Sequence, residues 1–397
     1  MDMRVTAVEA EAESRPAAWG AVFAMALGAF VLVASEFMPV SLLTPVAADL
    51  HISEGQAGQA ISVSGAFALV TSLFIAPLAG RLDRKLLLLA LTLMMMVSGT
   101  VAAFAPDYTV FMIGRAFIGV AIGGFWSMSA ATAMRLVPEH QVPRALAIVN
   151  GGNALATVVA APLGSFLGGI VGWRGAFFAV VPVAAIAFAW KLFSLPKMHV
   201  AGGAGAGDAF RLLRRPVVAL GMAGVALFFM GQFALFTYLR PFLESVTGLG
   251  VSGLSGMLLV VGVAGFIGTT LIGGVLEKHL YRTLVVIPVI MAAIGLALML
   301  AGASVPATAV LLALWGLVAT SAPVGWWTWL ARTLPRDAEA GGGLIVAVVQ
   351  LAIAAGATLG GILFDASGYR ASFGLSAAVL AAGALLAWLA ARAARHA

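Results

Sequence analysis

The chain contains no cysteine, so disulfide frameworks, thiol catalysis and thiolate metal sites are excluded. Charge is scarce too. Asp, Glu, Lys and Arg make up 10% of the 397 residues, against about 25% in ordinary globular domains. The five histidines are scattered without metal-ligand spacing, and neither a metal nor a cofactor is expected. No nucleophile–base pair and no phosphate loop can be assembled, which argues against an enzyme. The N-terminal residues lack a basic start followed by a small-residue cleavage site, and they carry Glu9, Glu11 and Glu13 ahead of Trp19. No cleaved signal peptide is expected, and the first apolar run is read as a retained helix.

Apolar residues fill the space that charge leaves. They make up 62% of the chain, with a mean hydropathy of +1.07. Runs of about 20 apolar residues read as membrane-spanning helices. Twelve occur, near 20–43, 56–79, 86–105, 109–133, 145–170, 176–195, 217–240, 252–275, 283–303, 307–331, 342–364 and 371–391. The runs are continuous and do not alternate apolar with polar, so a β-barrel is excluded.

The net charge of +6 and pI near 10.2 could suggest a nucleic-acid partner, but the placement of the cations points elsewhere. With twelve spans and a cytoplasmic start, cytoplasmic segments and the span ends beside them hold eighteen of the twenty-two Lys and Arg residues. They are Arg4, Arg15, Arg81, Arg84, Lys85, Arg135, Arg144, Lys191, Lys197, Arg211, Arg214, Arg215, Lys278, Arg282, Arg332, Arg336, Arg392 and Arg395. The opposite side keeps Arg174, Arg240 and Arg370, and Arg115 lies within a span. That bias is the positive-inside rule and predicts both termini in the cytoplasm. The basic excess is topological, and no nucleic acid is needed to explain it.

The sequence also repeats. Gly80-Arg81-Leu82-Asp83-Arg84-Lys85-Leu86 returns as Gly274-Val275-Leu276-Glu277-Lys278-His279-Leu280, at an offset of 194. Ala161-Pro162-Leu163-Gly164 followed by Gly172-Trp173-Arg174 returns as Ala357-Thr358-Leu359-Gly360 and Gly368-Tyr369-Arg370, at an offset of 196. Two six-helix halves are expected, 1–195 and 217–397, joined by a flexible cytoplasmic connector over 196–216 that includes the Ala/Gly-rich stretch Ala201–Gly207. A parallel repeat of six spans describes the major facilitator fold, all-α, with a substrate site between the halves near mid-membrane.

Glu36 is the acid that lies inside an apolar run. A carboxylate in hydrocarbon costs roughly 2.5–3.5 kcal/mol even on lenient scales, so it must face protein or water. Counting along the spans at about 1.5 Å per residue puts Glu36 and Arg115 at one level, roughly 10 Å below the outer face. The two readings are a structural ion pair that makes both charges tolerable and a proton-coupling site in which Arg115 tunes Glu36. Candidate substrate contacts are Asn150 and Asn153 in the fifth span, Gln232 and Tyr238 in the seventh, and Gln350 in the eleventh. Their amides and hydroxyl suit neutral polar solutes, and each also suits interhelical bonding. Phe125 and Trp126 could stack on a planar ring or simply pack. Trp326, Trp327 and Trp329 fit an interfacial aromatic belt, with one facing the cavity. The loop with Asp83 and Arg84 is read as a topology anchor and a gate. Pro162 among small residues should loosen or kink the fifth helix and allow close packing.

Several segments carry a family resemblance. They are Glu36–Pro45, Gly123–Ala130, Met134–Pro138, Ala161–Gly168, Gly231–Tyr238 and Pro323–Trp326. The chain resembles bacterial drug:proton antiporters of the major facilitator superfamily and, among them, exporters of purine ribonucleosides. The resemblance implies export of inosine- and guanosine-like nucleosides in exchange for protons, by a monomer in the bacterial inner membrane. Gly114-Arg115-Ala116 matches the superfamily's fourth-span arginine motif, linked there to proton transfer. Ala161–Gly164 is similar to the fifth-span antiporter motif, with alanine in place of the usual glycine before proline. Gly80–Lys85 is a shortened loop motif lacking the glycine after Asp83. Sugar or drug efflux, and a proton-independent facilitator, are the competing readings.

Overall fold

A computed structural model describes residues 17–80, 82–198, 211–334 and 337–395. Arg4, Arg15, Arg81, Arg336, the acids Glu9, Glu11 and Glu13, and the Ala201–Gly207 stretch lie outside the described residues.

Among the described residues, ten helices are long and apolar enough to cross a membrane. Two of them, Arg144–Ser194 and Val251–Ala301, run for 51 residues each. That is about 76 Å, over twice the ~30 Å hydrocarbon thickness. Each leaves helical geometry at one residue, Gly172 with φ 75° and His279 with φ −132°. Divided there, the chain gives twelve spans: α1 (Trp19–Asp49), α2 (Glu54–Ala79), α3 (Arg84–Ala103), α4 (Tyr108–Leu136), α5 (142–171), α6 (173–194), α7 (Pro216–Ser245), α8 (251–278), α9 (280–301), α10 (Val305–Thr333), α11 (Ala338–Ser367) and α12 (Tyr369–Ala393). The described residues form no strand. The predicted spans and the observed helices agree within six residues, the largest difference being the first helix, which runs to Asp49 rather than 43.

Local chemistry explains many of the boundaries. Asp83 caps α3 by accepting from the Lys85 N–H at 2.8 Å, and Asp107 caps α4 by accepting from Val110 N–H at 2.9 Å. Pro216 and Pro306 stand in the first turns of α7 and α10, where a missing N–H removes no helical bond. The turns α5–α6 and α11–α12 both pivot on a glycine with φ 75°, Gly172 and Gly368. Left-handed backbone favours glycine, so the repeat seen in the sequence reappears as one backbone geometry used twice. Pro162, by contrast, sits in unbroken helical backbone. No residue of α5 leaves helical φ/ψ before the α5–α6 turn at Gly172.

Within the first half α1 packs on α5 and α6, and α4 packs on α2 and α3. Within the second, α12 packs on α7, and α10 on the α8–α9 pair. The halves meet along α2 against α11 and α5 against α8. At the second seam the backbone of Val158 lies so close to Gly262 that a Cβ there would overlap it. The cross-half hydrogen bonds among the described residues all fall between 36–62 on one side and 240 or 350–365 on the other. Asp365 accepts from Ser53 Oγ and, at 2.9 Å, from the Gly55 N–H; Ser62 Oγ donates to the Ala354 carbonyl at 3.0 Å. Arg240 donates to the Ser41 carbonyl. The halves are therefore pinned at the end where α2 begins and α11 ends.

Candidate transport site

Glu36 is 6% exposed and lies on α1 where the two halves face each other. Its Oε1 accepts from Nε2 of Gln350, across the seam, at 3.5 Å. The next residue, Phe37, stacks on Phe233 of α7 with ring centroids 5.7 Å apart. One turn of α1 thus presents an acid and an aromatic ring to the opposite half.

Arg115 is 1% exposed and reaches the same level from α4. Its Nη1 donates to the Ser35 carbonyl at 2.9 Å, Nη2 to the Glu36 carbonyl at 3.2 Å, and Nε to the Ala60 carbonyl at 3.2 Å. Ser64 Oγ accepts at 3.5 Å. The sequence places the two charges at matching depth, and the structure does too. It does not form the carboxylate–guanidinium ion pair that the structural reading expects. Four oxygens from α1 and α2 satisfy the guanidinium, which leaves the Glu36 carboxylate turned toward Gln350. A planar donor fork held by backbone carbonyls fixes α4 against α1 and α2 and supplies positive potential beside the acid.

Two amide oxygens nearby in the second half lack donors. Oε1 of Gln350 and Oε1 of Gln232 are buried with no hydrogen-bond partner among the described residues. A buried acceptor without a donor costs about 1–3 kcal/mol, so such atoms suit a site that a polar solute fills. Asn153, half-buried on α5, makes no side-chain hydrogen bond among the described residues. Asn150 is exposed, and its Nδ2 donates to its own helix at the Leu146 carbonyl.

The aromatic candidates divide differently. Trp126 is half-buried beside Phe125, edge to face at 5.5 Å. Phe125 itself is enclosed in the first half, against Lys191 and beside Gly28. Its ring covers an ammonium and is not free to stack on a solute. Trp326 and Trp329 are buried against each other, packed on Gly224 and Gly221 of α7, while Trp327 is exposed. Trp326 therefore fills the core of the second half, neither lining a cavity nor forming a belt. Tyr238 is fully buried, stacked on Phe364 at 5.1 Å, and donates to the Ala357 carbonyl at 2.7 Å. It sits over Gly58 and Gly361, so it bolts α7 to the α2–α11 seam.

The loop pair also has a firm local role. Asp83 accepts from Met198 N–H at 2.9 Å as well as from Lys85, tying the chain beyond α6 to the start of α3. Arg84 approaches the Met128 sulfur at 4.0 Å. Gly164, in the Ala161–Gly164 stretch, packs on Ser41 of α1, so the small residues around Pro162 do bring helices close.

Sequence reasoning missed Lys191. It looks like a span-end cation, yet it is fully buried on α6. Its Nζ donates to Thr92 Oγ1 at 2.9 Å and lies 5.3 Å from the Phe125 ring centre. It pairs with no carboxylate among the described residues. The one signal for it was Gly28, whose missing side chain makes room for the ammonium.

The comparisons with known proteins agree with this picture. Residues 25–357 match the model of the Major Facilitator Superfamily. The chain is 61% identical to the transcription regulatory protein OpdE of Pseudomonas aeruginosa, over 94% of each chain. It is 41% identical to the purine ribonucleoside efflux pump NepI of Salmonella typhimurium, over 93% of each. Its fold matches a bacterial homolog of the human lysosomal transporter Spinster in an inward-facing, occupied conformation. That match has a TM-score of 0.77 and 15% identity, over 96% of this chain and 98% of the other. It also matches a D-xylose-proton symporter, with a TM-score of 0.73 and 16% identity, over 94% and 98%. None of these is named as an enzyme, and the expectation of a transporter rather than a catalyst stands. On the family match, the two long relatives and the twelve-helix fold together, the chain belongs to the Major Facilitator Superfamily.

Proposed function

We propose that this protein is a proton-coupled exporter of purine ribonucleosides such as inosine and guanosine, working by alternating access between halves 1–195 and 217–397. The observation that carries the reading is the Glu36 carboxyl at the seam, held by Gln350 from the other half and beside an Arg115 already satisfied by carbonyls. A proton on Glu36 removes its charge and gives it a donor. Loss of the proton leaves an acceptor that draws on Gln350 and on the solute. Occupancy by a proton and by a neutral, hydrogen-bonding solute are thereby linked at one place. The 41% identity to a purine ribonucleoside efflux pump supports the solute class.

The energetics suffice. One charge moving through roughly 150 mV releases about 3.5 kcal/mol. At 1.4 kcal/mol per tenfold ratio, a single proton sustains a ratio of a few hundred for a neutral solute. The cation bias supports both termini in the cytoplasm, and the reading takes a monomer in the bacterial inner membrane as the working unit. Gln232, Gln350 and Asn153 are the proposed solute contacts. Trp126, half-buried, is the aromatic one.

The relative named for transcriptional regulation fits a second level of this reading. A transporter changes gene expression by changing the concentration of a small effector inside the cell. The test is uptake of labelled inosine into inverted vesicles with and without an imposed acid interior. Accumulation that needs the gradient supports antiport, and accumulation that ignores it contradicts proton coupling. Absence of inosine uptake beside uptake of a sugar or drug would move the solute class.

A further inference from the structure

A large groove unrelated to the seam opens at one end of the second half. It has a volume of about 910 Å³ and lies between the start of α7, the α8–α9 turn and the ends of α10 and α12. Its wall includes Arg214, Arg215, Lys278, His279, Arg282 and Arg332, together with Val217, Leu280 and Tyr281. No carboxylate lines it among the described residues. Arg215 is partly neutralised by Asp337 at 3.2 Å, whereas Arg214, Lys278 and Arg282 pair with no carboxylate among the described residues.

The backbone adds to the same field. α7 begins at Pro216 inside this groove, and its N-cap, Arg215, supplies no side-chain acceptor. The first N–H groups of a helix have no intrahelical partner and carry partial positive charge. Unlinked cations and the uncapped start of α7 converge on one space. In the first half the matching turn is filled: Asp83 is tucked inward, and the segment 195–198 packs over it through Arg84 N–H to the Met198 carbonyl at 3.0 Å. The repeat partner of Asp83 is Glu277, which is exposed and does not line the groove. Topology alone asks only that cations sit at this end; it does not ask for a cleft of this size walled by them.

We propose that this groove is a binding site for a phosphate-bearing anionic phospholipid headgroup. Arginine guanidinium groups present paired donors that match phosphate oxygens, and basic pockets between spanning helices on this kind of face take such headgroups. Val217, Leu280 and Tyr281 give the groove an apolar margin on which acyl chain can lie, which a free phosphate would not use. The volume accommodates a glycerol–phosphate headgroup with room for a second phosphate.

The experiment uses the full chain in detergent, titrated with phosphatidylglycerol, with phosphatidylcholine, or with millimolar inorganic phosphate. Melting temperature and the number of lipids retained in native mass spectrometry are read together. Phosphatidylglycerol is expected to raise the melting temperature and remain bound, with phosphatidylcholine doing neither. The triple variant R214Q/K278Q/R282Q should melt with the wild type in phosphatidylcholine and bind phosphatidylglycerol about a hundredfold more weakly, at roughly fivefold per cation. Equal stabilisation by both lipids, or full phosphatidylglycerol binding by the variant, would overturn the proposal. Stabilisation by inorganic phosphate equal to that by the lipid would assign the groove to a soluble anion and overturn the lipid. If the triple variant misfolds, the single changes R214Q and R282Q are read instead, each expected to weaken retention severalfold, and unchanged retention in both would reject the site. None of these outcomes depends on nucleoside transport.

Discussion

The two halves share a repeat and a fold, yet they spend their interiors differently. The first half buries charge: Glu36, Arg115 and Lys191 all lie inside it, at 6%, 1% and 0% exposure. The second half buries aromatic surface at its centre, with Trp315, Trp326, Trp329, Phe228 and Phe373 in one apolar cluster. Its buried cation, Arg240, sits at the pinned end and reaches back to Ser41 of the first half. Charge in hydrocarbon is expensive and is retained where it works. On the proposed mechanism, ion handling would belong to the first half, with the second half offering amides at Gln232 and Gln350.

Replacing Glu36 should separate the halves' roles most sharply. Glu36→Gln keeps the shape and the hydrogen-bonding capacity and removes the titration. Gradient-driven inosine accumulation is expected to fall to background, while exchange of inosine for inosine across vesicles at equal pH persists. Loss of both would mean that the acid acts in solute binding alone. The next largest effect is structural. Arg115→Met leaves the Ser35, Glu36 and Ala60 carbonyls without their shared donor, and thermal denaturation in detergent should show a loss of about 3 kcal/mol or more.

The seam itself can be tested with a pair of glycines. Gly262→Leu drives a side chain into the Val158 backbone and should destabilise by about 1–3 kcal/mol. The same change at Gly273, where nothing lies within 4 Å, should be nearly silent in the same melt. Symmetry predicts that Gly172→Ala and Gly368→Ala each cost about 1 kcal/mol, because both hold φ near 75°. Unequal penalties would show that the halves do not share this turn energetically. The smallest effect is expected at Lys191→Met, within about 1 kcal/mol of wild type, since no buried carboxylate is left alone. A large loss there would place a hidden partner beside Lys191.

Much of this was legible in the chain, for identifiable reasons. The spans follow from unbroken apolar runs, and the repeat from paired Gly-aromatic-Arg triplets whose glycines proved to share one backbone angle. The common level of Glu36 and Arg115 follows from a fixed rise per residue. Which way a side chain points does not follow. A helix that is apolar on all sides carries no amphipathic stripe to mark its inward face, so Phe125 stays open between stacking and packing, and Trp326 between a belt and the cavity, until the structure buries both in core. Lys191 read as a topological marker because it stands a turn from a span end. Its direction is set by the gap at Gly28, a tertiary fact. The hydrogen bonds of Arg115 to carbonyls rather than to Glu36 were beyond reach as well, since backbone acceptors leave no trace in residue type.

The measurement that tests the central claim most directly is proton movement evoked by the solute. Acid-loaded inverted vesicles carrying the protein and a luminal pH dye are given inosine. The account predicts prompt alkalinisation of the lumen with the wild type, and none with Glu36→Gln. Inosine entry with no change in luminal pH in the wild type, or an undiminished response in the variant, would contradict it.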